Sequence, residues 1–188
     1  MMSPEWLTAI GTLGTFVVIA ASAVAALIQL RHMRATNQLS ALNELFEVFE
    51  SPAFQDARRF INHDFSKLLE DPESRKLALQ RPVAKQFESA RMVAAFFENV
   101  GTLVKRGIID PDILCDLWSN IIIQTWWRLS SWIVSARAKS GIPGLWENFE
   151  YLTAIAETYV ETHPSGSYPP NLRRPRTGEV WPEARPPK

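Results

Sequence analysis

The chain has 188 residues, with 20 basic and 20 acidic side chains, so no global charge draws it to nucleic acid. Its one cysteine, Cys115, excludes an internal disulfide and a multi-cysteine metal site. Hydrophobic residues make up 46% of the chain, enough for one real core, but they are unevenly spread.

The first element is the stretch from Trp6 to Leu30, 25 residues without a charge. A hydrocarbon layer needs about 20 apolar helical residues, so this stretch is long enough to cross one with some tilt. Within lipid the backbone must satisfy its own hydrogen bonds, which selects a helix. A cleaved signal peptide would want a basic leader and a shorter apolar run. Here the leader, MMSPE, has no Lys or Arg, and the run continues past both Ala-x-Ala sites, at Ala21-Ser22-Ala23 and Ala23-Val24-Ala25. A core helix of a soluble domain seldom stays uncharged for so long. The reading is a membrane anchor over 6–30 with residues 1–5 outside. Arg31 and Arg34 follow it directly, and basic residues stay in the cytoplasm, so the remainder is expected in the cytoplasm.

Neither proline nor glycine occurs between Thr15 and Ser51, so the anchor helix is expected to run on to about Glu50. Steps of three and four from Gly11 then trace one seam. It passes through Gly14, Val18, Ala21, Ala25, Ile28, His32, Ala35, Leu39, Leu42, Phe46 and Phe49. Its period is about 3.5 residues, small side chains in the membrane half and large ones beyond, which suits a parallel homodimer. The competing reading packs Leu39 to Phe49 on the chain's own domain.

Residues 31–163 are read as one cytoplasmic helical domain. Ser51-Pro52, Asp71-Pro72 and Asp110-Pro111 each place a capping side chain before a proline, a helix start used three times. The helix after Pro52 carries Phe54, Ala57, Ile61, Phe65 and Leu68 on one side, and the one after Pro72 is expected to reach about Arg81. From Pro82 the pattern Val83, Phe87, Ala90, Ala94, Phe97, Gly101, Val104 gives a core helix with a second apolar stripe of Met92, Phe96, Val100 and Leu103. Its remaining face, Glu88, Arg91, Glu98, Thr102 and Lys105, alternates in sign and reads as solvated, and Gly107 supplies the left-handed cap.

Residues 111–140 are the most apolar part beyond the anchor, with a break expected at Ser119-Asn120. Trp118, Trp126, Trp127 and Trp132 fall within 15 residues. Core packing accounts for Trp118 and Trp126; one small bundle cannot cover every face, so Trp127, Arg128 and Trp132 are the candidate surface for a protein partner or for lipid headgroups. Asn120, Gln124 and Arg128 speak against a second span. After the stop Gly141-Ile142-Pro143-Gly144 a last helix turns Leu145, Phe149, Leu152, Ala156 and Tyr159 inward. Residues 164–188 hold seven prolines and are basic, which reads as a disordered tail.

No strand alternation, repeat or nucleotide-binding glycine loop occurs. The fold class expected is all-α: one transmembrane helix leading into a bundle of five or six helices. Chemistry is not legible. His63-Asp64 has no Glu-x-x-His context for a metal, no Gly-x-Ser-x-Gly is present, and Cys115 lies among Leu114, Leu117 and Trp118 as an inert thiol would. No cofactor and no nucleic-acid partner is expected.

Three stretches, IQLRHMR at the end of the anchor, FENVGTLVKRGIID, and LWENFEYL after the tryptophan helix, resemble a bacterial family of membrane-anchored domains of unknown function. The resemblance covers most of residues 5–160 and implies a single anchor and a helical cytosolic domain, without activity or catalytic residues. The functional expectation is a non-enzymatic domain that binds a protein partner beside the lipid bilayer. The alternatives are an oligomerising, toxin-like membrane effector and an enzyme whose site the sequence does not reveal.

Overall fold

A computed structural model describes residues 4–175, with the side chains of residues 5–10 and 34 excepted. All regular elements among the described residues are helical: α1 (Pro4–Glu50), α2 (Pro52–His63), α3 (Phe65–Leu68), α4 (Pro72–Ala78), a 3-10 turn (Lys85–Phe87), α5 (Glu88–Lys105), α6 (Pro111–Ser140) and α7 (Glu147–Thr162). The all-α reading holds.

α1 runs 47 residues without interruption, as the missing prolines and glycines suggested. It has two environments. Residues 11–33 are exposed throughout, whereas Leu42, Leu45 and Phe49 are buried in the core. The ring of Phe49 stacks on Trp118 at 4.5 Å, and Phe46 meets the same indole edge-on at 5.3 Å. That settles one point of the seam: Leu42 packs within its own chain, and only the part up to Leu39, 60% exposed, stays open.

The three Ser/Asp-Pro starts all form. Ser51 Oγ accepts from the Phe54 N–H, Asp71 from the Ser74 N–H at 2.8 Å and Asp110 from the Asp112 N–H at 2.8 Å. The Asp71 carboxyl is held below its ordinary pKa chiefly by the Ser74 N–H. α4 ends at Ala78, short of the expected Arg81, since the residue before a proline leaves the helical region and Pro82 follows closely. The core helix begins at Glu88 and not at Pro82, because the backbone is still extended at Ala84 and enters the helix through the 3-10 turn.

α5 is the central element, packed on α2, α6 and α7, and both its apolar stripes are covered except at Met92. It ends in a Schellman turn, with Gly107 at φ 66° and the Ile108 N–H donating to the Leu103 carbonyl at 3.0 Å. At Gly101 the chain needs glycine for space: a Cβ there would overlap the backbone carbonyl of Asn148 on α7.

α6 shows no break at Ser119-Asn120. Burial of Trp118, Ser119 and Ile122 on the core side carries the helix through a polar pair that costs little in a helix interior. It stops at Gly141, in the left-handed conformation at φ 66°. Glu98 is the clearest departure from the sequence reading. It does not lie on a solvated stripe; half-buried, it accepts from Asn148 Nδ2 at 2.8 Å and from the Phe149 N–H at 3.0 Å. α7 begins at a residue, Trp146, that offers no capping oxygen, so Glu98 caps it from α5.

Between 164 and 175 there is no regular element. Tyr168 and Arg174 stack at 4.6 Å, and the Ser167 hydroxyl donates to Asp116 on α6. The rest of the expected disordered tail lies outside the described residues.

Candidate functional site

The two candidate tryptophans of α6 part company. Trp127 is 69% exposed, while Trp132 is 4% exposed. The place of Trp132 in a surface is therefore corrected. Its indole Nε1–H donates to the Ala78 carbonyl at 3.1 Å, and its ring lies 4.9 Å from Trp146 and 6.1 Å from Phe65. A buried indole needs a partner for its one N–H, and the end of α4 provides it. Trp126, half-buried, meets Phe149 edge-on at 5.2 Å. Arg128, also half-buried, turns its Nη1 back to the Gln124 carbonyl at 3.4 Å.

Trp127 does not stand alone. Ile113, Leu117, Asn120, Gln124, Trp127, Ser131 and Val134 are all exposed, and their spacing alternates four and three. They form one straight stripe, about 30 Å long, down the outer face of α6. Ile113, Leu117, Trp127 and Val134 are the apolar positions in it, each at least 45% exposed. The buried stripe of the same helix is Leu114, Trp118, Ile122, Leu129 and Ile133, whereas the outer one is interrupted by Asn120, Gln124 and Ser131.

Arg31 is exposed at the end of the apolar part of α1; the side chain of Arg34 lies outside the described residues. The seam residues Gly11, Gly14, Val18, Ala21 and Ala25 are exposed, and nothing lies within 4 Å of a Cβ at either glycine. By length and composition α1 alone, among the described helices, could cross a membrane. Among the described residues no group of three or more His, Cys, Asp or Glu side chains gathers as a metal site, and His63 is exposed at the end of α2.

Cys115 is fully buried, and its thiol pKa is pushed up to about 11 by that burial and by Asp112. A nucleophilic cysteine needs the opposite shift.

A cleft of about 780 Å³ opens between α4, the segment 79–83, the C-terminal end of α6 and the Leu145-Trp146 corner. Leu79, Pro82, Val83, Leu145, Trp132 and Trp146 line it, and Lys76, Arg81, Arg91 and Lys139 are the charged side chains in its wall. No carboxylate lines it. These cations come from four separate segments, which is why no local run of sequence announced them.

A family model described as "Domain of unknown function (DUF4760)" matches residues 16–155. The chain belongs to this family. The DUF4760 match takes in the second half of the apolar stretch, all of α2 to α6 and most of α7, so the family unit includes both the outer stripe of α6 and the cleft. No curated protein and no solved structure matches the chain.

Proposed function

We propose that the protein is a single-pass protein of the bacterial inner membrane, N-terminus outside, whose cytoplasmic helical domain binds a protein partner through the outer stripe of α6. The observation that carries the partner reading is that stripe. A helix of 30 residues that buries one face completely keeps a second, continuous face open, with a large indole near its middle. Trp is among the residues enriched in binding hot spots, which cluster near the centre of an interface. The alternation of four and three is the spacing that an amphipathic partner helix reads, with Asn120, Gln124 and Ser131 keeping the free stripe soluble.

The membrane reading rests on α1. Phe16, Val17, Val18, Ile19, Leu27 and Ile28 are each more than half exposed. Each would gain about 1.5–3 kcal/mol by leaving water, and the folded chain offers them nothing to leave it for. A bilayer removes that cost, and Arg31 at the boundary supports the inward orientation. The small-residue part of the seam, open from Gly11 to Ala25, is suited to pairing two copies in lipid, where close approach replaces hydrophobic burial.

Two measurements test this reading. A reporter active only in the cytoplasm, fused after Lys188, is expected to be active; activity of a periplasm-only reporter at that point would reverse the orientation. A photo-crosslinking residue at position 127 or 134 is expected to give one discrete adduct in cells, whereas position 59 on the exposed face of α2 gives none. Absence of an adduct along the whole stripe would remove the partner.

A further inference from the structure

The cleft stands apart from the partner stripe, and its chemistry points elsewhere. We propose that it binds an organic phosphate, a small molecule whose phosphate group meets Arg81, Arg91 and Lys139 while its apolar body lies against Val83, Leu145 and Trp146. Its volume, about 780 Å³, falls in the range of small-molecule sites.

Charge is the first argument. Among the described residues Arg81, Arg91 and Lys139 have no ion pair and no side-chain hydrogen bond, and Lys76 has only the solvent-exposed Glu73, at 2.6 Å. Cations near helix C-termini need no special reason, which covers Lys76 on α4 and Lys139 on α6. It does not cover the arginines. Arg81 belongs to no helix, and Arg91 lies in the first turn of α5, the end at which the helix dipole disfavours a positive charge. Four exposed cations and no carboxylate line this one cleft, which suits a group with more than one negative charge, and two of them are guanidinium forks that match phosphate oxygens in pairs.

Preorganisation is the second. The wall opposite α4 is built from a strained residue: Trp146 has φ 56°, a left-handed conformation that a bulky side chain adopts only when its surroundings enforce it. Here they do. Trp132 lies tilted against it, tied through its N–H to the Ala78 carbonyl, and Arg137 holds the Leu145 carbonyl through Nε at 2.8 Å while pairing with Glu150 at 2.7 Å. These contacts, of which the Trp132–Ala78 hydrogen bond is fully buried, hold the corner in place before anything enters the cleft.

The test is calorimetric titration of the full chain in neutral phosphatidylcholine nanodiscs with three probes: ADP, inorganic pyrophosphate and dihexanoyl phosphatidylglycerol. Saturable binding with Kd below about 1 mM is expected for ADP or for the lipid, weakened about tenfold or more by Arg91→Glu and by Lys139→Glu and unchanged by Lys67→Glu outside the cleft. Tighter binding of ADP identifies a soluble nucleotide-like ligand; tighter binding of the lipid identifies a headgroup as the source of the phosphate. Both support the site. Pyrophosphate binding as tightly as the better organic probe would overturn the role of the apolar wall. Failure of all three probes to saturate, or equal weakening by Lys67→Glu, would overturn the site itself. None of these outcomes depends on the stripe of α6 or on a partner.

Discussion

Glu98 and Gly101 lie one turn apart on α5 and meet α7 in complementary ways, one by supplying a carboxylate and one by supplying no side chain. Glu98→Ala should leave the Phe149 N–H without its acceptor and lower stability by about 1–3 kcal/mol. Gly101→Ala should push α7 outward and cost about 1–3 kcal/mol or more, because the obstacle is backbone and cannot rotate away. Denaturant melts of the two variants and the double variant check both, with less than additive losses expected once α7 has moved; a Gly101→Ala chain as stable as the parent would show that the helices separate freely. At Cys115 the expected behaviour is silence. The neutral thiol's contribution to stability is whole below its ordinary pKa of 9.0 and is lost as pH rises toward about 11, because the unfolded chain ionises first. Labelling by an aqueous thiol reagent at pH 8 should therefore proceed no faster than global unfolding, and rapid labelling of the native chain would contradict the burial.

Among the elements, α6 carries the sharpest contrast. Trp132→Ala should cost the about 3–5 kcal/mol of a buried indole, and Trp127→Ala less than about 1 kcal/mol, as read by denaturant unfolding. Only the latter should abolish the adduct formed at position 134; equal losses of stability at both positions would deny α6 a free face. The helices themselves were legible where local chemistry decides them. Three caps with their prolines, the Gly107 and Gly141 stops, and the apolar stripes of α2, α5 and α7 are all written in short windows of sequence. What could not be read depends on partners far along the chain. Glu98 looks like any surface glutamate until Asn148 and Phe149 arrive fifty residues later, and the burial of Trp132 depends on the Ala78 carbonyl, 54 residues earlier in the chain. The break expected at Ser119-Asn120 failed because burial outweighed a weak local preference. The cleft was invisible for the same reason as the cap: its four cations are neighbours only after folding.

For the molecule as a whole, the open part of the seam can be tested directly. With Cys115→Ala as background and single cysteines placed from Ala20 through Ala26, crosslinking in native membranes should peak at Ala21 and Ala25 and dip at Ala23. A flat profile would leave the anchor a monomeric tether. Whichever result is obtained, the unbroken course of α1 from Pro4 to Glu50 has a mechanical consequence. Leu42, Leu45 and Phe49 belong to the core of the domain and to the same stiff rod as Gly11 and Ala25, so the domain has no swivel at that junction. Its compass bearing relative to the anchor is set by the number of residues between them. One residue inserted between Ala35 and Leu39 would swing the domain by about 100° and raise it by about 1.5 Å, while seven would return it almost to its original heading about 10 Å further out. In the proposed membrane setting, the direction in which the stripe and the cleft face is, on this geometry, a matter of counting.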